Sequence, residues 1–314
     1  MNQPEKTAFV FPGQGAQAVG MGLDLYREFG TARDVFKLAD ERLGFPLSRL
    51  IFEGPEGELT RTINAQPAIV TVSLACLKAA EEVAADSLPT PSLVAGHSLG
   101  EYTSLAAAGV LSVADTIYLA RERGRLMYQA GQQNPGGMAA ILGLEEDVVA
   151  AVCAETGCYV ANYNCPGQLV ISGTEESLSK ATTLAEARGA RRVVRLQVSG
   201  AFHTPLMQPA VDGMAKVIES LDFRDPLIPI VANTIARALA TAGEVKEELL
   251  NQLCHGVKWQ QSIELMLAEG ITTFIEIGPG KVLSGLIKRI SKDAKTVNIG
   301  DAEAVKGWGR GQER

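Results

Sequence analysis

Short apolar runs alternate with longer stretches of helical periodicity along most of this chain. The runs at 7–11, 91–95 and 272–277 predict strands that are buried on both faces, because such strands are apolar at nearly every position. The stretches 23–43, 68–85 and 112–130 have apolar residues at helical spacing and predict helices. This alternation predicts an α/β fold, with a parallel sheet covered by helices on both faces.

The middle of the chain has a different order of elements. Between residues 134 and 199 the pattern predicts a strand, a helix, two strands, a helix and a strand, at 138–142, 145–156, 159–162, 168–172, 175–188 and 192–198. This βαββαβ order is typical of a ferredoxin-like unit. We therefore predict a ferredoxin-like subdomain at 134–199, inserted into a large α/β domain formed by 1–133 and 200–314. The subdomain is expected to form one wall of a ligand-binding cleft.

Composition narrows the class of protein. A chain of 314 residues can bury the core of one large domain plus an insertion, and its net charge of −7 argues against nucleic-acid binding. It has no apolar run of 18 or more residues and no charged-then-apolar leader, so we expect no membrane span and a cytoplasmic location. The five cysteines form no C-x-x-C pair and predict reduced thiols rather than a metal site. We expect a monomer with a disordered tail at 307–314.

The segment Gly96-His97-Ser98-Leu99-Gly100 follows a predicted strand and precedes a predicted helix. Its G-x-S-x-G spacing is that of a nucleophile elbow, in which glycines let the backbone turn sharply and the serine hydroxyl projects above the sheet. N–H groups at the start of the next helix point at the same place. We predict Ser98 as the nucleophile of a hydrolase-like core and the Leu99 N–H as an oxyanion donor. An ordinary glycine-flanked turn is the alternative.

A serine nucleophile needs a base, and the chain has three histidines. His97 lies inside the turn with its side chain directed away from Ser98, and is expected to line the pocket or to pack. His255 precedes a predicted helix and is expected on a surface loop. His203 follows the strand predicted at 192–198, where α/β folds place catalytic residues. His203 is therefore the predicted base.

A glycine-held loop, Pro12-Gly13-Gln14-Gly15-Ala16-Gln17, follows the first predicted strand. Its glycines and Ala18 fit the dinucleotide-binding fingerprint, but that motif needs a second strand ending in an acidic residue about 20 residues on. The stretch 23–43 predicts helix instead, which disfavours a nucleotide site. The loop can equally present the Gln14 N–H towards Ser98 as a second oxyanion donor.

Five motifs occur in an order and spacing similar to those of one known family. They are Phe11-Pro-Gly-Gln-Gly-Ala-Gln17, Gly96-His-Ser-Leu-Gly-Glu101, Arg121-Glu-Arg-Gly-Arg-Leu-Met127, Ala201-Phe-His203 and Glu276-Ile-Gly-Pro-Gly-Lys281. Together they resemble the malonyl-CoA:acyl-carrier-protein transacylases of fatty acid synthesis, over about residues 8 to 298. The resemblance implies a transferase with malonyl-CoA and acyl carrier protein as substrates and with no cofactor.

The resemblance also implies roles for the predicted residues. Ser98 would attack the malonyl thioester, and His203 would take its proton and return it to the departing thiol. The N–H groups of Gln14 and Leu99 would hold the tetrahedral oxyanion. The reaction would be a ping-pong acyl transfer.

Arg123 separates a malonyl transferase from a generic esterase in this comparison. Its predicted helix also carries Arg121, Glu122 and Arg125, so composition alone favours a solvated charged face. The match of Arg123-Gly124 to the family's arginine–glycine pair implies instead a guanidinium in a closed pocket that binds the free carboxylate of malonate.

Other pocket residues follow from the same resemblance. Gln66 and Asn162 match polar positions that line the family's pocket, and we expect His97 to contact substrate there. Phe202 lies in the malonyl-type Ala-Phe-His signature, whereas methylmalonyl-specific relatives tend to carry serine. Its ring is predicted either to crowd an α-methyl group or simply to pack in the core.

The family orients its histidine with a backbone carbonyl, at a position matched here to 257–259. This chain has Lys258 where other members have glutamine, which departs from the family pattern. Two basic pairs, Arg191-Arg192 and Lys288-Arg289, are predicted contacts for coenzyme A phosphates or an acidic carrier protein. Solvated surface charge is the alternative for both pairs.

Other functions remain open from the sequence. A serine thioesterase or esterase would use the same elbow with an acid such as Asp115 or Asp147, but both begin predicted helices and are better explained by capping. A non-catalytic carrier-protein-binding subunit has no physical need of Ser98, His203 and Arg123 together. A stand-alone polyketide acyltransferase shares the predicted chemistry and is not separated from it.

Overall fold

A computed structural model describes residues 6–84 and 88–309. These residues form ten strands, fourteen α-helices and one short 3₁₀ helix at Pro205–Met207. The strands are β1 (Lys6–Phe11), β2 (Leu93–Gly96), β3 (Gly136–Leu142), β4 (Tyr159–Cys165), β5 (Gln168–Thr174), β6 (Arg192–Arg195), β7 (Ile230–Val231), β8 (Ala238–Leu239), β9 (Ile271–Ile277) and β10 (Lys295–Ile299). The helices are α1 (Leu23–Glu28), α2 (Gly30–Leu43), α3 (Leu47–Glu53), α4 (Glu56–Thr60), α5 (Thr62–Val83), α6 (Gly100–Ala107), α7 (Val113–Gln133), α8 (Glu146–Thr156), α9 (Glu175–Ala187), α10 (Gln208–Glu219), α11 (Ala242–Cys254), α12 (Trp259–Ala268), α13 (Val282–Ile290) and α14 (Ala302–Gly309).

Six strands form one mostly parallel sheet in the order β10-β9-β1-β2-β7-β8. Neighbours run parallel except at the edge, where β8 is antiparallel to β7. Both faces of β1 are buried, because Phe9 and Phe11 pack into one apolar cluster while Ala8 and Val10 pack into another. Helices pack on both faces of the sheet, α2 and α5 in the first cluster and α12 and α13 in the second, which confirms the predicted α/β fold.

The other four strands form a separate antiparallel sheet in the order β4-β5-β3-β6. Helices α8 and α9 pack on it around a small apolar cluster that includes Val149, Ile171 and Leu178. This arrangement confirms the antiparallel subdomain predicted from the βαββαβ order. The boundaries at 134 and 199 stay a prediction.

Helix α5 begins earlier than its pattern predicts, at Thr62 rather than 68, and continues through Pro67. A proline lacks the N–H that would bond to the carbonyl four residues before it, here that of Ile63. The Arg121 guanidinium donates to that carbonyl at 2.8 Å, so the carbonyl that Pro67 frees has a donor and the helix continues. The helix ends at Val83, and the predicted end at residue 85 lies outside the described residues.

One predicted strand and the predicted tail differ from the structure. The strand predicted at 192–198 ends at Arg195. Residues 307–309 of the predicted disordered tail belong to α14, and 310–314 lie outside the described residues.

Helix α5 is long and apolar enough to cross a membrane, yet 89% of its most apolar window is buried inside the protein. It is therefore accounted for as a core helix.

Candidate active site

The site lies at the carboxyl edge of the parallel sheet. Strands β1 and β2 are neighbours with Phe11 paired to Gly96, so the loops that follow them lie side by side. A cavity of about 310 Å³ opens between this edge and the antiparallel sheet. It is lined by Gln14, Gly15, Gln17, Thr60, His97, Ser98, Arg123, Met127, Met138, Asn162, Leu196, Gln197, Val198, Phe202 and His203.

The turn that carries Ser98 depends on close backbone packing. A Cβ at Gly96 would lie 1.8 Å from the carbonyl carbon of Gly100, and one at Gly100 would lie 2.0 Å from the Phe11 oxygen. Both positions therefore require glycine. Ser98 itself has a φ of 51°, in the left-handed region, where strain costs about 1–3 kcal/mol.

Ser98 and His203 are in direct contact, as the sequence predicts. The Ser98 Oγ lies 2.8 Å from His203 Nε2, and His203 Nδ1 lies 2.7 Å from the carbonyl oxygen of Gln252. A carbonyl can only accept, so Nδ1 carries the proton and Nε2 presents its lone pair to the hydroxyl. Burial, and then the positive charge of Arg123, lower the pKa of His203 to about 3. The imidazole is therefore neutral at pH 7 and free to accept a proton.

The carbonyl that orients His203 belongs to Gln252, so the prediction that placed it at 257–259 is wrong. Gln252 lies in the last turn of α11, where carbonyls have no intrahelical donor and are free for other partners. Val257 instead bonds to the antiparallel sheet, through Ala161 and Tyr163. Lys258 is exposed, and its departure from the family pattern does not touch the histidine.

Arg123 is buried, with 1% of its surface exposed, so the solvated-face alternative is wrong. Its Nη2 donates to the Ser98 Oγ at 3.1 Å and to the Gln252 Oε1 at 2.7 Å, and its Nη1 donates to the Gln66 Oε1 at 3.0 Å. Its Nε is buried and has no hydrogen-bond partner among the residues that the structure describes. Burial lowers the pKa of this guanidinium, and Tyr102 and the nearby Glu101 carboxyl oppose that shift. The groups that accept hydrogen bonds from it directly are all neutral. The site thus holds a cation ready for an anionic ligand.

The other predicted pocket residues divide into two groups. Asn162, Phe202 and His97 line the cavity, and His97 Nε2 lies 2.8 Å from the Asn164 Oδ1. Gln66 does not line it: it is fully buried behind Arg123 and holds the guanidinium in place. Its prediction as a direct substrate contact is corrected accordingly.

The two backbone N–H groups predicted as oxyanion donors are those of Leu99 and Gln14. Leu99 is the N-cap of α6, and Gln14 lines the cavity with its side chain bonded to the Thr62 hydroxyl at 3.2 Å. Across the described residues, neither the Leu99 N–H nor the Gln14 N–H has an acceptor within hydrogen-bond distance. Free N–H groups at the start of a helix and in a glycine loop are suited to an oxyanion.

The two basic pairs do not reach the cavity. Arg289 bonds to the Gln168 side chain and to the Pro166 carbonyl, at the turn between β4 and β5. Arg192 pairs with Leu142, which in turn pairs with Gln168, so Arg191, Arg192 and Arg289 lie around the same end of the antiparallel sheet. Lys288 bonds weakly to the Lys292 carbonyl at 3.5 Å. Their role as partner contacts stays a prediction.

Sequence reasoning missed two residues that hold the site together. Gln252 contacts His203 and Arg123, and Asn233 accepts the Ser98 N–H at 2.7 Å on its Oδ1. The sequence does mark Gln252, because it is a polar residue on the buried face of α11, between Leu249 and Leu253, where an apolar residue is expected. Asn233 follows the two-residue strand β7 and has no comparable pattern.

Comparison with known proteins agrees with this geometry. Residues 8–314 match the acyl transferase domain family. The chain is 46% identical over 305 residues to the malonyl CoA-acyl carrier protein transacylase of Bacillus subtilis (strain 168), covering 96% of this chain and 95% of that protein. The chain belongs to the malonyl CoA-acyl carrier protein transacylase family. The resemblance predicted from the five motifs is thereby confirmed.

Solved structures extend the likeness to the whole transacylase fold. An acyl-carrier-protein S-malonyltransferase from Bartonella henselae superposes with a TM-score of 0.93 at 41% identity, over 97% of this chain and 98% of that one. A malonyl-transacylase solved in complex with its type II PKS acyl-carrier protein gives a TM-score of 0.93 at 37% identity, over 98% of this chain and 99% of that one.

Proposed function

We propose that this transacylase moves the malonyl group from malonyl-CoA to the phosphopantetheine thiol of acyl carrier protein, supplying fatty acid elongation, through a malonyl-Ser98 intermediate. The observation that carries the proposal is the set of contacts at the Ser98 Oγ. His203 Nε2 lies 2.8 Å away and Arg123 Nη2 lies 3.1 Å away, so a base and a buried cation meet at one hydroxyl. An esterase requires the first contact but not the second.

The chemistry proceeds in two mirrored halves. His203 removes the Ser98 proton as the oxygen attacks the thioester carbonyl, and the resulting oxyanion accepts hydrogen bonds from the Gln14 and Leu99 N–H groups. Collapse breaks the carbon–sulfur bond, and His203 returns the proton to the departing coenzyme A sulfur. The carrier thiol then loses its proton to His203, attacks the malonyl-serine ester and regenerates free Ser98 by the same steps in reverse.

Arg123 supports the choice of malonate as the acyl group. Among the described residues, three of its five N–H groups are bonded, all to neutral partners, so a substrate carboxylate supplies the missing anion and accepts charge-assisted hydrogen bonds. An acetyl group leaves the buried charge unpaired. That costs on the order of 3–5 kcal/mol, which corresponds to roughly 10²- to 10³-fold discrimination.

A serine thioesterase or esterase is disfavoured by the surroundings of His203. Its Nδ1 is occupied by the Gln252 carbonyl rather than by an acid. Asp115 bonds to Ser112 at the start of α7 and pairs with Arg42, and Asp147 is exposed in the first turn of α8. A stand-alone polyketide acyltransferase stays the alternative, because it differs in its carrier protein and not in this chemistry.

Partners and location follow from features outside the cavity. The basic group formed by Arg191, Arg192, Lys288 and Arg289 is our proposed contact for coenzyme A phosphates or an acidic carrier, by charge complementarity. All five cysteines are free, which fits a cytoplasmic, reducing compartment.

The test is intact-protein mass spectrometry after brief mixing with malonyl-CoA, with and without acyl carrier protein. A malonyl adduct that disappears as the carrier gains the same mass is the expected result. Free malonate with little adduct identifies a hydrolase instead. A persistent adduct on a Ser98→Ala variant excludes Ser98 as the nucleophile.

A further inference from the structure

Glu101 is a buried carboxylate next to the nucleophile to which the mechanism above assigns no role. It lies on α6, three residues after Ser98, with 1% of its surface exposed. Burial and the nearby Glu248 raise the pKa of this carboxyl, and N–H donors from Asn233 and Gln252 together with the positive charge of Arg123 oppose that rise. Burying an acid is costly unless its oxygens are well bonded, so the partners of Glu101 indicate what it does.

One oxygen of Glu101 binds Asn233, the residue that holds the turn carrying Ser98 in place. Its Oε1 accepts from the Asn233 backbone N–H at 3.0 Å and from the Asn233 Nδ2 at 3.3 Å. The same Asn233 side chain accepts the Ser98 N–H at 2.7 Å and donates to the Gly96 carbonyl at 2.8 Å. Asn233 thus spans the turn on both sides of the strained serine, and Glu101 fixes Asn233.

The other oxygen holds the residue that orients the base and the cation. The Oε2 accepts from the Gln252 Nε2 at 2.5 Å. That amide nitrogen also donates to the Ser98 carbonyl at 2.8 Å, its Oε1 accepts from Arg123, and the Gln252 backbone carbonyl accepts from His203. These bonds fix which end of the amide faces Glu101, because a flipped amide would lose both Arg123 and the Ser98 carbonyl.

We propose that Glu101 is a positioning residue that couples the nucleophile to its base and to the malonate-binding cation, by holding Asn233 with one oxygen and Gln252 with the other. The three groups bonded to Glu101 are all N–H donors, so both of its oxygens accept, as those of a carboxylate do. A glutamine at this position would direct its NH₂ group against a fixed N–H donor on one side, and either Asn233 or Gln252 would lose its support. The inference rests on the function proposed above, since it assigns Glu101 to the same site.

The test compares Glu101→Gln and Glu101→Asp with a matched control, Glu276→Gln. Glu276 is also fully buried and accepts from backbone N–H groups, those of Leu283 and Ser284, but it caps α13 outside the cavity. The readouts are the rate at which a fluorophosphonate probe labels Ser98 in folded protein, kcat and KM for malonyl transfer, and Tm.

We expect Glu101→Gln to label about 10- to 100-fold more slowly than wild type, the effect of losing a charge-assisted hydrogen bond from a positioned group. Its kcat falls and its KM for malonyl-CoA rises, because Gln252 holds both His203 and Arg123. Glu101→Asp keeps two accepting oxygens on a shorter stem and recovers part of the rate. Glu276→Gln loses stability but labels at the wild-type rate.

Wild-type labelling in Glu101→Gln, or an equal loss in Glu276→Gln, overturns the proposal. If the glutamine variant does not fold, Glu101→Asp decides alone: a 3- to 10-fold slower rate supports the proposal and an unchanged rate overturns it. The probe carries no malonyl group, so its reaction with Ser98 tests the role of Glu101 separately from the proposed function. If wild-type protein reacts with the probe but forms no malonyl adduct, the proposed function is contradicted and the labelling rates of the variants still test Glu101.

Discussion

Replacing Arg123 with alanine removes the buried cation while leaving Ser98 and His203 in place. The contact between Ser98 Oγ and His203 Nε2 keeps its supports from Asn233 and from the Gln252 backbone carbonyl, while the Ser98 Oγ loses the hydrogen bond from Arg123 Nη2. We therefore expect the variant to keep a reactive serine and to lose its preference for malonyl over acetyl thioesters.

The magnitude follows from the partners of the guanidinium. In wild type an acetyl thioester leaves a buried charge with neutral partners, at a cost on the order of 3–5 kcal/mol relative to malonyl. Without Arg123 that difference vanishes, so the ratio of kcat/KM for malonyl-CoA to that for acetyl-CoA falls by roughly 10²- to 10³-fold. Most of the fall comes from malonyl-CoA, whose carboxylate enters a buried pocket without a cation.

The assay is acyl-enzyme formation by intact mass in mixtures of malonyl-CoA and acetyl-CoA. Arg125→Ala is the matched control, because Arg125 lies on the same helix but pairs with Glu122 near the surface. The control keeps the wild-type ratio. An unchanged ratio in Arg123→Ala refutes the assignment of Arg123 to the malonate carboxylate.

Three further predictions concern the base, the acyl pocket and the elbow. His203 has a pKa of about 3 in the folded protein against 6.5 in the unfolded chain, so it takes up a proton on unfolding and the free energy of unfolding falls as pH falls. Between pH 6.5 and 4 we expect wild type to lose about 3 kcal/mol more than His203→Gln, measured by urea unfolding. An equal loss in the two proteins contradicts this. Phe202→Ser opens space beside Ser98 and raises the kcat/KM for methylmalonyl-CoA relative to malonyl-CoA; an unchanged ratio shows that the ring only packs. Gly100→Ala forces a Cβ against the Phe11 carbonyl, so we expect about 1–3 kcal/mol lower stability and slower probe labelling of Ser98, and wild-type values for both contradict the packing argument.

The sequence was sufficient for features that depend on local pattern. Strand β1 is apolar at the four consecutive positions from Ala8 to Phe11 because both of its faces are buried, and that pattern is visible without a structure. The elbow was equally accessible, since the glycines at 96 and 100 are required by contacts within a few residues of one another and with the adjacent strand. The βαββαβ order likewise predicted the antiparallel sheet.

Features that depend on distant partners were not accessible. The charged helix carrying Arg123 predicts a solvated face, and only the packing of α5 against α7 places that side chain beside Gln66 and away from solvent. Pro67 predicts a helix boundary from the sequence, because proline leaves a carbonyl without its donor. In the structure Arg121 donates to that carbonyl, and a contact from a distant helix cannot be read from local pattern. The carbonyl that orients His203 comes from a helix end about fifty residues away, and a backbone group leaves no signature in side-chain pattern.

The identity of that orienting group explains how one site can hold a base and a cation together. A carboxylate at the position of the Gln252 carbonyl would lie close to Arg123, pair with it and compete with the carboxylate of the substrate. A neutral carbonyl fixes the tautomer of His203 without adding a negative charge, and the Gln252 side chain binds the guanidinium through another neutral oxygen. Arg123 then keeps its capacity for an incoming anion. The neutral orienting group beside His203 is in this view a requirement of malonyl selectivity.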